Sequence, residues 1–470
     1  MTVPNSRRHW IDVEAVRQHR SQPRLFAMLL GACFVLSNVT CLPAASAQSL
    51  NDQLKAARPG DVVKVPGGVH KVSLSVPGGV TLKGMPGAVI DATGKKDGVH
   101  VIGRDGGKQV TIDGLEIFGS EYGVQIVKGA SNVTIKNCRL HDCDFGIWIR
   151  DSSHLKVTGC EIFDNRNGVS FYNSGPGSVE SCDIHHNDID GVLVTFHSHD
   201  IQISDNSIHH HTAKSHPDAI QTHNHVERVQ ITGNLIYANG QALHSQQTDG
   251  VVIKGNLILG TLAQALVIGK GDTTNAEIRG NLIAYTGHIA VNLTASDYQF
   301  FDNIIVTGGG KGGLNYRGAT DVQADRNLYW GTDRQQRSLL VITDGGFYTD
   351  FNKYLAQSTV DRNSVSRDPK FPSAPVASSS IDAQNLAKAD LDRIPVERSH
   401  LFRDKDIIEI DFDGVPRRVQ AVSDDTVRFE PPLTKKPTHG ATVLIWGEKR
   451  EKWNLGPEYR DLVKRLNEGR

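Results

Sequence analysis

The stretch VQITGNLIYANGQALHSQQTDGVVIKGNLIL, residues 229–259, contains the same phrase twice. VQITGNLIY returns as VVIKGNLIL, with Asn234 and Asn256 22 residues apart. In both copies apolar residues alternate with polar ones, the pattern of a half-buried strand and not of a helix. The phrase extends in both directions. IDGLEI, KNCRLH, TGCEIF, ESCDIH and SDNSIH precede it, and RGNLIA, FDNIIV and DRNLYW follow. Registered on Gly114, Cys138, Cys160, Cys182, Asn206, Asn234, Asn256, Asn281, Asn303 and Asn327, the laps measure 24, 22, 22, 24, 28, 22, 25, 22 and 24 residues. A steady period in this range describes a solenoid, each unit burying its apolar face only against its neighbours.

Helical solenoids need longer units with 3.6-residue periodicity, which is absent here. Short strands and Gly or Asn turns point instead to an all-β fold, a right-handed parallel β-helix of about ten or more coils. Equivalent residues then stack about 4.8 Å apart along the axis. Stacked Asn amides can bond to one another, and Asn tolerates the left-handed bend of a coil corner. Cys138, Cys160 and Cys182 continue the same ladder, where a buried stack of thiols is favoured over a disulfide. Because these cysteines are collinear and do not converge, they make a poor metal site.

Composition agrees with thin repetitive layers: 46 glycines and 6 % aromatics in 470 residues, 38 % of them hydrophobic. A net charge of −1 gives no sign of nucleic-acid or membrane binding. At the N-terminus, Arg7, Arg8, Arg17, Arg20 and Arg24 precede the apolar run LFAMLLGACFVL, followed by Ala45-Ser46-Ala47. Residues 1–47 therefore read as a signal peptide, with an uncleaved anchor as the alternative. A periplasmic or secreted protein follows, with no membrane insertion after cleavage. SLNDQLKAARPGD, residues 49–61, reads as a helix capping the first coil, and residues 349–373 break the repeat with a helix and a loop.

The run PGDVVKVPGGVHKVSLSVPGGVTLKGMPGAVID, the GLEI and GNLI motifs and the NSVSRDPKF ending resemble secreted right-handed parallel β-helix proteins. That superfamily includes pectate lyase-like polysaccharide lyases, polygalacturonase-like hydrolases and mannuronan epimerases. The resemblance covers roughly residues 49–373, so the β-helix is placed at 48–373. It implies a polysaccharide partner, and its motifs encode stacking and not a reaction. Residues 374–394 read as a Pro/Ala/Ser-rich linker. Residues 395–470 read as a small β module with a terminal helix at 457–468, a packing element or a carbohydrate-binding accessory.

One strand of each coil begins with a small residue, and registering on it exposes a polar row. Along the axis the outward pairs are Trp148 and Arg150, Ser170 and Tyr172, Leu193 and Thr195, Gln221 and His223, then His244 and Gln246. Val267 and Gly269, Asn292 and Thr294, and Asn315 and Arg317 complete it. Eight rungs span about 35 Å, which suits an extended polymer better than a small ligand. Trp148 and Tyr172 offer sugars flat apolar surfaces; Arg150, Gln221, Gln246, Asn292 and Asn315 offer hydrogen bonds. A solvated face is the bland alternative.

The basic residues on this row suggest an anionic polysaccharide bound by a monomer. β-Elimination needs a cation or strong donor on the uronate and a base for the adjacent proton. Arg317 or Arg150 would neutralise, and Lys270, His223 or His244 would be the base. Asp190 and Asp218 precede the small residue on adjacent rungs, where they would share a proton or a calcium ion. A glycoside hydrolase, which needs two carboxylates, is the second reading, and a non-catalytic polysaccharide-binding or structural protein the third. The Asp-Pro-His motif of mannuronan epimerases and the aspartate pattern of polygalacturonases are both absent from the sequence. The longest lap carries HHHTAKSHPD, residues 209–218, expected as a loop beside the row.

Overall fold

The structure, a computed structural model, describes residues 47–450 except 104–106, 213–216, 271–272, 309–311, 333, 335–339, 370, 372–373 and 438–439. For Lys270 it describes the backbone alone. The expected signal peptide up to residue 46, His216 and the helix expected at 457–468 lie outside the described residues.

Three sheets of 12, 13 and 13 strands, parallel except for the last strand of the third, run the length of the solenoid, each coil giving one strand to each sheet in turn. The repeated phrase explains the register. Val229 pairs with Val251 and Ile231 with Ile253 in the first sheet, and Leu235 with Leu257 in the second. Inward residues of all three sheets form one apolar column: Ile231, Ile236, Leu243, Ile253, Ile258, Leu266 and Ile268 are buried. The fold is thus an all-β, right-handed parallel β-helix with a small antiparallel sheet at its C-terminal end.

The asparagine ladder forms as its spacing requires. Each side-chain oxygen accepts from both the backbone N–H and the amide of the preceding rung, from Asn206 through Asn234, Asn256, Asn281 and Asn303 to Asn327. Asn327 then donates to Asp361, which closes the stack. Two expectations need correction here. The left-handed residue is not the ladder residue but the one before it: Gly233, Gly255, Gly280, Asp205, Asp302 and Arg326 have positive φ. For the same reason Gly114 is a corner residue aligned with Asn137, and the buried Leu115 takes the ladder place ahead of Cys138. Cys138, Cys143, Cys160 and Cys182 are all buried free thiols.

A helix at Ala47–Ala56 covers the first coil, burying Leu50 and Leu54. At the far end a second helix, Phe351–Gln357, is N-capped by Asp350 and buries Phe351 and Tyr354. The six strands of the C-terminal sheet run in the order Ala377–Ser380, Thr442–Gly447, Ile407–Ile410, Arg417–Ser423, Thr426–Glu430, Arg393–Pro395. Residues 374–394, expected as a linker, therefore carry its first edge strand. Its partner is the buried, apolar Thr442–Gly447 strand, which gives Ala377 and its neighbours a ladder to join. Ile407, Leu444 and Trp446 share one apolar cluster with Leu257, Leu259, Leu282, Ala284, Ile304, Val306 and Leu328 on the solenoid's second sheet.

Candidate active site on the third sheet

The third sheet keeps the register expected of the polar row. His100, Gln125, Trp148, Ser170, Leu193, Gln221, His244, Val267, Asn292 and Asn315 follow one another as aligned partners. Ile147, Val169, Val192, Ile220, Leu243, Leu266, Val291 and Leu314 alternate inward and are buried. Gln221 and His223 thus stay outside the barrel, half-buried and not freely solvated.

Just ahead of the small residue a second row crosses the same sheet. Asn167, Asp190, Asp218 and Gln241 occupy it on successive coils, since Gly168 N–H donates to Asp190, Gly191 N–H to Asp218, and Asp218 pairs with Gln241. Here the sheet brings two carboxylates together. Asp190 and Asp218 are 4 % and 3 % exposed, and the Asp218 backbone N–H donates to Asp190 Oδ1 at 3.3 Å. Burial, reinforced by the charge of Asp218 and only partly offset by Arg166, pushes the Asp190 carboxyl up to about 8. Two carboxylates on adjacent rungs of a low-dielectric wall cannot both ionise cheaply, and Asp190 is the one held mostly protonated at neutral pH.

His244 completes the centre. Its Nδ1 lies 3.6 Å from Asp218 Oδ2, and its buried Nε2 has no protein partner. Asn167 Oδ1 and Ser170 Oγ, on the neighbouring rungs, are likewise buried and unpartnered. Burial holds His223 below its usual value, so its ring is neutral at pH 7, with Nδ1 3.4 Å from Thr195 Oγ1. These groups supply what acid–base chemistry needs: a carboxylic acid, a carboxylate, and unprotonated imidazole nitrogen within one or two rungs.

Toward the N-terminal end the face becomes aromatic. Tyr122, Phe145 and Trp148 pack with centroids 4.6–5.9 Å apart, Tyr172 follows 6.0 Å from Trp148, and Phe196 stacks on Tyr172 at 4.4 Å. Trp148 and Tyr172 were legible in the repeat; Tyr122, Phe145 and Phe196 were not. Phe196 is 40 % exposed, at a corner where its positive φ turns the ring back over the sheet.

Several expected residues stand elsewhere. Arg150 lies three rungs before Gln221, about 14 Å away at 4.8 Å per rung, lying over the Tyr172 ring and 3.3 Å from Asp151. Arg317 lies four rungs beyond, about 19 Å, over the Phe347 ring. Neither reaches the carboxylate pair. Gln246 aligns with Lys270 and not with Gly269, because the pairing shifts by one between Ser245 and Gln246. Gly269, at φ 119, absorbs that shift. Asn292 and Asn315 stack on each other, with Asn315 Nδ2 donating to Asn292 Oδ1 at 2.7 Å. His209 and His210 are not beside the row at all: Ser207–His209 is a strand of the second sheet. Among the described residues no group of three or more His, Cys, Asp or Glu side chains is arranged around a metal position.

No curated protein matches the chain. Among solved structures it is similar to the A-module of mannuronan C-5 epimerase AlgE4 from Azotobacter vinelandii, at 16 % identity over 63 % of this chain and 89 % of that one (TM-score 0.44). It is similar to a hyperthermoactive exopolygalacturonase from Thermotoga maritima, at 10 % identity over 64 % and 88 % (TM-score 0.42). It is similar also to PfbA, a surface adhesin of Streptococcus pneumoniae, at 11 % identity over 64 % and 90 % (TM-score 0.42). A family model for the right-handed β-helix region matches residues 89–216 and 196–329. With more than half of its length matched, the chain belongs to the right-handed β-helix family.

Proposed function

We propose that this protein is an exported carbohydrate-active enzyme that cleaves a polysaccharide by acid–base catalysis at Asp190 and Asp218. One observation carries the reading: two buried carboxylates stand on adjacent coils, Asp190 held protonated by burial, in the face that an aromatic platform continues. Asp190 is the proton donor to the leaving oxygen. Asp218, with His244 Nδ1 3.6 Å away, is the base or nucleophile. The platform from Tyr122 to Phe196 seats sugar rings on one side of the scissile bond. The arginine-flanked apolar N-terminus supports export.

Hydrolysis leads over elimination because Asp190 and Asp218 supply the two carboxylates it needs. Arg150 and Arg317 stand two and four rungs from Asp190 and Asp218 respectively, and Arg166, whose charge reaches Asp190, is the cation that elimination would have to use. Elimination remains the second reading on one specific ground, the neutral His223 ring two positions along the strand from Gln221. Calcium at Asp190 and Asp218 is the competing use of the pair. With Asp190 protonated the two residues offer calcium little charge, so chelation is expected to leave turnover unchanged.

Incubation with a panel of neutral and acidic glycans tests the reading. Reducing ends released without the absorbance of an unsaturated uronate support it. Release with that absorbance moves the function to elimination, and glycan binding without either product makes the protein a binder.

A further inference from the structure

The histidine pairs His185–His186 and His209–His210 lie far from this centre in function, on the second sheet and the corner that follows it. The strands Asp183–His185 and Ser207–His209 each end on a histidine, and the next histidine has positive φ, which swings its ring edge-on to the first. Coil upon coil the rings stack. His185 and His209 centroids are 5.0 Å apart at 11°, and His186 and His210 5.0 Å apart at 2°. Within each coil the Nδ1 atoms face each other, 2.9 Å apart in the first pair and 2.6 Å in the second.

The second pair poses a hydrogen problem. His209 Nε2 lies 3.0 Å from Asp183 Oδ1, and His210 Nε2 lies 3.1 Å from the Asp411 carbonyl oxygen and 3.5 Å from its carboxylate. Those oxygens accept, so both Nε2 atoms carry the hydrogens. In neutral rings both Nδ1 atoms then present lone pairs to one shared space, 2.6 Å apart. Two lone pairs this close repel unless a positive species lies against both. Outer nitrogens tied to a carboxylate or carbonyl are also the arrangement that orients metal-ligating imidazoles.

We propose that His209 and His210 chelate one divalent transition-metal ion through their Nδ1 atoms, water filling the remaining positions. With metal–nitrogen bonds of about 2.0–2.1 Å, their separation corresponds to a bite of roughly 80°. That angle fits the square-planar preference of copper or nickel and is too acute for tetrahedral zinc. Two protein ligands make a chelate smaller than the groups of three, none of which occurs among the described residues. His185 and His186 stack one rung away and offer a second seat, but repulsion between two ions about 5 Å apart weakens the second, so one ion binds tightly per chain. Because His210 also bonds to Asp411 of the C-terminal sheet, the ion ties that sheet to the solenoid.

The test uses the full chain, stripped with chelator and titrated with Cu²⁺ in a calorimeter, followed by electron paramagnetic resonance. One tightly bound ion with coupling to two imidazole nitrogens is expected. His209→Gln or His210→Gln should remove it, Asp183→Asn should weaken it about tenfold, and His225→Gln, in a separate stacked pair, should leave it unchanged. Far-UV circular dichroism checks that each metal-free variant is folded. A wild-type spectrum without imidazole nitrogen, uptake that survives His210→Gln, or no stoichiometric uptake would each overturn the site and leave a shared proton between the rings.

Discussion

Asp190 and Asp218 have the same side chain and the same place in the repeat, yet their surroundings assign them different work. Burial raises Asp190, so the folded chain holds its proton more tightly than the unfolded chain does. The stability this contributes is fully present below the ordinary carboxylate value and is lost as pH rises toward about 8. Asp190→Asn removes that dependence. Measured by urea denaturation between pH 4 and 8, the wild type should lose stability relative to the variant by up to about 1.4 kcal/mol per pH unit. The same variant should lose turnover by about 10²–10⁴-fold while keeping its circular dichroism. Trp148→Ala should raise KM several-fold with little change in kcat, since a stacking platform contributes about 0.5–1.5 kcal/mol beyond its buried area. Both carboxylates were visible in the sequence because each stands immediately before a small residue, Gly191 or Ala219. Phe145 stands before Gly146 in the same way and was missed. Nothing in that position says whether the side chain leans over the sheet until the corner geometry is known.

At the scale of one strand or one coil, the repeat specifies stacking and leaves local shifts unspecified. Asn256 accepts from the Asn234 backbone and amide at 2.9 and 3.0 Å and donates to the Ile231 carbonyl at 2.9 Å. Asn256→Leu leaves those buried partners without bonds and should cost about 1–3 kcal/mol in a denaturant titration. The 22- to 28-residue spacing was enough to place this ladder, because an amide stack tolerates only a fixed register. The pairing shift after Ser245 was not legible, since a bulge adds a residue without changing the apolar pattern around it. It depends on Gly269, where a Cβ would stand 2.0 Å from the Ala295 nitrogen at a φ of 119°. Gly269→Ala should therefore lower the thermal midpoint and disturb the alignment of Lys270 with Gln246. A folded variant with unaltered stability would mean that the bulge is not the feature that holds this alignment.

Across the whole molecule the C-terminal sheet, expected as a small β module, is where the sequence said least about how the parts pack. Composition separates it from the repeat, and the Pro- and Ser-rich run before it looks like a tether. What composition does not reveal is that the second sheet becomes apolar on its outer face where the motif changes from SDNSIH to GNLIL and GNLIA. Leu257, Leu259, Leu282, Ala284, Ile304 and Val306 are at most 3 % exposed only because Ile407, Leu444 and Trp446 lie in the same cluster. Hydrogen bonds from Thr442 Oγ1 to the Gly260 carbonyl at 2.8 Å and from Ser378 N–H to the Gly308 carbonyl at 2.7 Å fix the contact. An outer stripe of this kind cannot be left to water without inviting association. A chain ending at residue 373 should therefore bind a hydrophobic dye and aggregate. The same truncation carrying Leu257→Lys and Leu282→Glu should recover solubility, because those side chains point outward and would then be solvated. If instead the plain truncation stays monomeric by light scattering but loses affinity for glycans, the sheet's main task is sugar binding and the apolar contact is secondary. The packing role predicts the opposite pair of results, with glycan binding retained in whatever fraction remains soluble, because the aromatic platform and the Asp190–Asp218 pair lie on a different sheet of the solenoid.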